Sequence, residues 1–301
     1  MSSETPKSSF RRPSDYRFDK STPVQYFQTT PARFGKIQPY NQPPFSTIPQ
    51  QRQPPMTNQR INHEPVFLLA SAPWRESSLW VEVFSRRYGR VALLARSARK
   101  RQSELRGVLV PFVPVSASWY GSQELKTLHR AEWIGGWPQP QGRALFSGLY
   151  INELMLKLTA REDPIPELYD ALGAVMQAVC GENSHTAALR RFEWALLTRL
   201  GFAPDLFHDG NGEAIRAEET YWLTPENAVV PIEEAERFNP RNHGVAVGGN
   251  ILIHLREGDF THPESLGQSL KITRLLIDNL LPEGIKSRQV LQQLQQFSFG
   301  V

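Results

Sequence analysis

Between Arg90 and Pro114 the chain places Arg96, Arg99, Lys100, Arg101 and Arg106 within one short segment, with Arg90 just ahead of it. Arginine grips a phosphate through a planar two-pronged fork, and lysine supplies a compact positive charge. Cations at such density suit a polyanion. A charge run is more often a solvated face than a site. What favours binding is the flanking sequence: Val91 to Ala95 and Val108 to Val115 are rich in strand formers, so the segment reads as a loop held at both ends by a core.

Charge is distributed unevenly along the 301 residues. Residues 1–62 carry nine cations against three acids, residues 63–141 eleven against six, and the remainder fourteen against twenty-one. The basic front half is expected to meet the anionic partner. Cys180 is the only cysteine, which excludes an intrachain disulfide and a multi-cysteine zinc site and fits a reducing compartment. No apolar run approaches the roughly 18 residues of a membrane helix, and the N-terminus lacks the apolar core of a secretory signal. A soluble cytoplasmic protein is the expectation.

Three segments follow. Residues 1–62 are dense in Pro, Gln and Ser and read as a disordered basic tail, in which cations such as Arg11, Arg12 and Arg17 alternate with Phe10, Tyr16 and Phe18. Residues 63–141 hold five short apolar runs, Val66 to Ala70, Leu79 to Phe84, Val91 to Ala95, Val108 to Trp119 and Leu125 to Leu128, ending in a Gly- and Pro-rich linker. Five short strands without a helical period predict a small barrel of the OB type. Residues 142–301 turn helical, with helices expected to Ala160, over Ile165 to Val179, Ser184 to Leu200, Pro263 to Leu281 and Lys286 to Phe297. Residues 202–260 read as irregular with one hairpin at most. The fold class is therefore α+β: a five-stranded barrel followed by a mainly helical domain.

Catalytic motifs are missing. There is no GxxxxGK[ST] loop, no G-x-S-x-G elbow and no H-E-x-x-H helix, so no enzymatic activity and no cofactor is expected. His208, Asp209, Asn211 and Glu213 fail the spacing of a calcium loop, because Ala214 and Thr220 stand where glycine and glutamate are needed, and they read as a polar turn. Trp119 and Tyr120 end a strand as core residues or as a stacking platform. Arg190 and Arg191 lie among Leu189, Phe192, Trp194, Leu196 and Leu197, and one of the pair must point towards the apolar side. An arginine there would hold the acidic residues of a partner peptide, or else pair with Glu153 or Glu193.

Several stretches occur together in an order that resembles a known family: Trp74-Arg75-Glu76-Ser77-Ser78-Leu79, Gly89-Arg90-Val91 leading to Ala98-Arg99-Lys100, Leu109-Val110-Pro111-Phe112, Leu149-Tyr150-Ile151-Asn152-Glu153-Leu154, Leu189-Arg190-Arg191-Phe192-Glu193, and Lys286-Ser287-Arg288. From about Glu64 to Phe297 the chain resembles the RecO family of bacterial recombination mediators. The resemblance implies an N-terminal OB domain, a helical C-terminal domain and non-catalytic action in RecF-pathway repair. It implies binding of single- and double-stranded DNA, annealing of complementary strands, and help, with RecR, in loading RecA onto DNA coated by single-stranded DNA-binding protein, in the cytoplasm and on the nucleoid during repair.

The same resemblance implies that the helical domain recognises the acidic C-terminal tail of that coating protein, with Arg190 as the matching contact, and that Arg99, Lys100 and Arg106 belong to the family's basic loop. Three features depart from the pattern. The cysteine-ligated zinc site of many members is replaced by Phe207, His208 and Asp209, a usual glycine is replaced by Ser97, and the N-terminal tail is extra. The rival expectation is an interaction scaffold whose basic barrel is incidental.

Overall fold

The computed structural model describes residues 60–181, 185–226, 229–235 and 244–298. The stretch expected to be a disordered tail lies outside the described residues, apart from its last few positions.

Five strands close into a barrel in the order β1-β2-β3-β5-β4: β1 (Ile61–Trp74), β2 (Ser78–Ser85), β3 (Gly89–Ala95), β4 (Pro114–Tyr120) and β5 (Leu125–Trp133). The five-stranded barrel of the sequence reading is thus borne out. β1 is long enough to pair with β2 along one stretch and β4 along another, and its register shifts between Leu68 and Ala70, where the extra residue bends the strand round the barrel. Closure comes from the one parallel pairing, Ala92–Ala95 of β3 beside Leu125–Leu128 of β5. The fourth of the five expected runs is corrected at its start: Val108 to Val113 precede the strand, because the chain there makes a short 3-10 turn, Glu104–Gly107, and further turns.

Strand alternation sends side chains to two destinations. Val66, Leu68, Val81, Val83, Val91, Leu93, Val115, Ala117 and Trp119 fill the barrel. The intervening Phe67, Leu69 and Phe84, with Phe112, point outward into a second core shared with the helices. Burying each of these four side chains is worth roughly 1.5–3 kcal/mol, which makes the junction a large share of the fold's stability.

The helices are α1 (Arg143–Leu158), α2 (Pro166–Cys180), α3 (Thr186–Arg199), α4 (Gly249–Glu257), α5 (Pro263–Leu280) and α6 (Lys286–Ser298). Proline opens α2 and α5, where its missing N–H has no intrahelical partner to lose. α3 gives way to Gly201 at φ +76°, as its position after the apolar run predicts. The region expected to be irregular is more ordered than its composition indicates. It contains a three-stranded sheet, with β6 (Thr220–Leu223) between β7 (Val229–Pro231) and β8 (Val245–Gly248), followed directly by α4.

Polar bonds reinforce the junction between barrel and helices. Asn152 Nδ2 on α1 donates to the Leu68 carbonyl at 3.3 Å, and Trp137 Nε1 donates to the Phe112 carbonyl at 2.8 Å. Glu82 on the outer face of β2 is only 1 % exposed and is paired with Arg161. Lys126 on β5 pairs with Glu162.

Candidate nucleic-acid interface

The segment between β3 and β4 turns at Ser97, whose φ is +57°, and is fastened from beneath. Ala98 is buried in the barrel core, and Leu105, Val108 and Leu109 pack against it. Backbone bonds from Lys100 to Ser97, Ser103 to Lys100 and Arg106 to Ser103, at 3.0 to 3.2 Å, wind the loop into successive turns. Apolar anchors face in. Arg96, Arg99, Lys100, Arg101 and Arg106 are all exposed.

What separates these cations from most of the barrel's others is their lack of carboxylate partners. Arg86 pairs with Asp170, Arg87 with Glu64, Arg90 with Glu82, Lys126 with Glu162 and Arg130 with Glu132. Among the described residues, no carboxylate pairs with Arg96, Arg99, Lys100, Arg101 or Arg106. Their positive charge is left unneutralised at the surface, with one acid, Glu104, in the segment.

Arg90 stands apart from the loop. Its Nη2 donates to the Thr159 carbonyl at 2.9 Å, its Nη1 lies 3.6 Å from Glu82, and its own carbonyl accepts from Glu162 N at 2.9 Å. Burial, partly offset by Glu82 and reinforced by Arg161, holds its guanidinium below the ordinary arginine pKa. Its bonds tie β3 to the end of α1, and its guanidinium, expected as a DNA contact, is mostly buried in that junction.

One outward-facing row of the barrel continues the basic surface. Trp80 pairs with Leu94 across β2 and β3, Leu94 with Thr127, and Thr127 with Tyr120. All four are at least partly exposed, and Leu94, within the row, lies two residues before Arg96. The two aromatic residues weighed as a platform therefore divide: Trp119 is core at 1 % exposure, whereas Tyr120, 40 % exposed, lies at the surface beside His129. Trp80, which the sequence reading passed over, shares that row.

In the helical part, Arg190 is 6 % exposed. Its Nη1 lies 2.7 Å from Glu193 and donates to Thr273 Oγ1 at 3.2 Å, and Glu193 also accepts from Tyr150 OH at 2.8 Å. The neighbour Arg191 is the exposed one, its guanidinium 5.7 Å from the ring centroid of Phe260. The His208 segment forms the expected turn: Asp209 Oδ1 accepts from the backbone N–H groups of Asn211 and Glu213 at 2.9 and 3.0 Å. Among the described residues, no group of three His, Cys, Asp or Glu side chains is placed to hold a metal ion, and no helix is long and apolar enough to cross a membrane.

Residues 60–137 match the family described as Recombination protein O N terminal, and residues 139–289 match Recombination protein O C terminal. The chain belongs to the RecO family. It is 72 % identical over 242 residues to a DNA repair protein RecO of Neisseria meningitidis, covering 80 % of this chain and 92 % of that one. A DNA repair protein RecO of Neisseria gonorrhoeae is 71 % identical over 242 residues, covering 80 % and 98 %. One of Chromobacterium violaceum is 41 % identical over 240 residues, covering 79 % and 98 %. RecO membership supports a role in DNA repair and recombination. Ser97 itself holds a left-handed φ of +57°, a conformation that only glycine adopts without strain.

Proposed function

We propose that this chain is a non-catalytic mediator of recombinational repair, which holds the backbone of single- and double-stranded DNA on the loop between β3 and β4 and anneals complementary strands. Cations that screen phosphates lower the repulsion between two strands and release condensed counterions, so binding is steeply salt-dependent and indifferent to sequence. The row of Trp80, Leu94, Thr127 and Tyr120 offers bases a surface to stack on beside that loop. The reading rests on one observation: the exposed cations of an anchored loop lack carboxylate partners, while Arg86, Arg87, Arg90, Lys126 and Arg130 of the barrel are paired.

Replacing Arg96, Lys100 and Arg101 together by Ala should flatten the plot of log affinity against log salt by about two units on single strands. An unchanged slope in the folded variant sinks the loop as the phosphate site. Annealing of complementary oligonucleotides coated with single-stranded DNA-binding protein should fall in parallel.

With RecR, the chain assists loading of RecA onto such coated DNA. An acidic tail of the coating protein is met on α3 by Arg191, the exposed arginine of the pair. Arg191→Glu should weaken binding of an acidic peptide and leave the DNA salt slope unchanged. Equal binding of the peptide by the variant removes Arg191 from the reading.

A further inference from the structure

The turn between β1 and β2 consists of Arg75, Glu76 and Ser77, and each of its three carbonyl oxygens accepts a hydrogen bond from the same residue, Arg99. The backbone N–H of Arg99 donates to Ser77 at 2.9 Å, and Nη1 donates to Arg75 at 3.3 Å and to Glu76 at 3.2 Å. Ser97 N adds a bond to Ser78 Oγ at 3.4 Å. The basic loop and this turn are therefore one surface, although 24 residues of chain separate Arg75 from Arg99.

Arg75 is exposed, has no ion-pair partner among the described residues, and is held at φ +51°, a conformation that a bulky side chain adopts at a cost. A guanidinium presents two forked edges, one formed by Nη1 and Nη2 and the other by Nε and Nη2. Arg99 spends Nη1 on the turn and keeps the Nε edge for an anion.

We infer that Arg75 is a further phosphate contact and that Arg99 is the positioning residue that brings it into the basic surface. The inference rests on the phosphate-binding reading above. A lysine in place of Arg99 would keep the charge but could not hold two carbonyls with one nitrogen while presenting a fork to phosphate.

The test is binding of a labelled single-stranded oligonucleotide by the full chain across a salt series. Arg75→Asn removes the charge and tolerates the left-handed backbone. It should lower the salt slope by about 0.7, and Arg75→Lys should restore it. Arg99→Lys, with charge conserved, should still weaken binding several-fold, because the turn is released. An unchanged slope in Arg75→Asn, or wild-type affinity in Arg99→Lys, overturns the inference. The variant lacking Arg96, Lys100 and Arg101 separates the two levels. If its slope falls while that of Arg75→Asn does not, only Arg75 is wrong; if its slope does not move, the phosphate-binding reading itself has failed.

Discussion

Arg190 and Glu193 are one helical turn apart on α3, and Nη1 of the first lies 2.7 Å from the carboxylate of the second, with both side chains buried. The pair is the centre of a network that reaches Tyr150 on α1 and Thr273 on α5. From Tyr150 it continues to Arg288 on α6, whose Nη2 donates to the phenol oxygen at 2.9 Å.

Arg190→Met should therefore destabilise the fold by about 3–5 kcal/mol, since it strands the Glu193 carboxylate in the core. Adding Glu193→Gln should recover part of that loss. Urea unfolding of the two single variants and the double would show the coupling, and additive losses would mean that the two residues act separately.

Glu153 caps α6 from across the domain. Its carboxylate accepts from the N–H groups of Lys286 and Ser287 and from the Ser287 hydroxyl, each at 2.8 Å. Burial alone would raise its pKa, but the hydrogen bonds from Ser287 and Lys286 outweigh burial and hold it below the usual carboxylate value. A depressed folded pKa lends stability that is complete above the unfolded value and is lost as pH falls through the folded one. The wild type should thus lose stability from about pH 4 downward faster than Glu153→Gln, as measured by unfolding across an acid series.

Gly89 opens β3 at φ +63°, and a Cβ there would sit 2.2 Å from the Asp163 carbonyl oxygen. Gly89→Ala should cost about 1–3 kcal/mol in backbone strain, with the clash added to it. A melting temperature equal to that of the wild type would show that the segment at Asp163 gives way.

Glu76 places an acid directly beside Arg75 on the turn that Arg99 holds. Glu76→Gln should raise affinity for single-stranded DNA about two- to fivefold at low salt, with the gain fading at higher ionic strength. Affinity unchanged at low salt would place the phosphate path away from the turn.

The barrel and the main helices were legible because each element carries its own period. The stripe of Leu266, Leu270, Leu275 and Leu276 marks α5, and alternation marks the strands. α4 was not, since Gly248 and Gly249 at its start argue against a helix; its one clear signal was Gly258, which ends it at φ +72°. The loop cations were legible as a cluster. Which of the nearby cations were already spoken for was not: Arg90 meets Thr159, 69 residues on, and no local pattern encodes so distant a partner. Arg190 is a closer case, because Glu193 is its neighbour in sequence. The motif could not say which of two adjacent arginines turns inward, and that is decided by Thr273, 83 residues away.

Phe67, Leu69, Phe84 and Phe112 belong to the barrel's chain but to the helices' core. Cleaving the linker would leave four greasy side chains on the amino-terminal fragment and the matching hollow on the other. Barrel and helices should thus melt in a single cooperative transition, and their slowest amide protons should exchange with one common free energy of opening. DNA pulling on the barrel would then load the helices directly, through a weld and not a hinge.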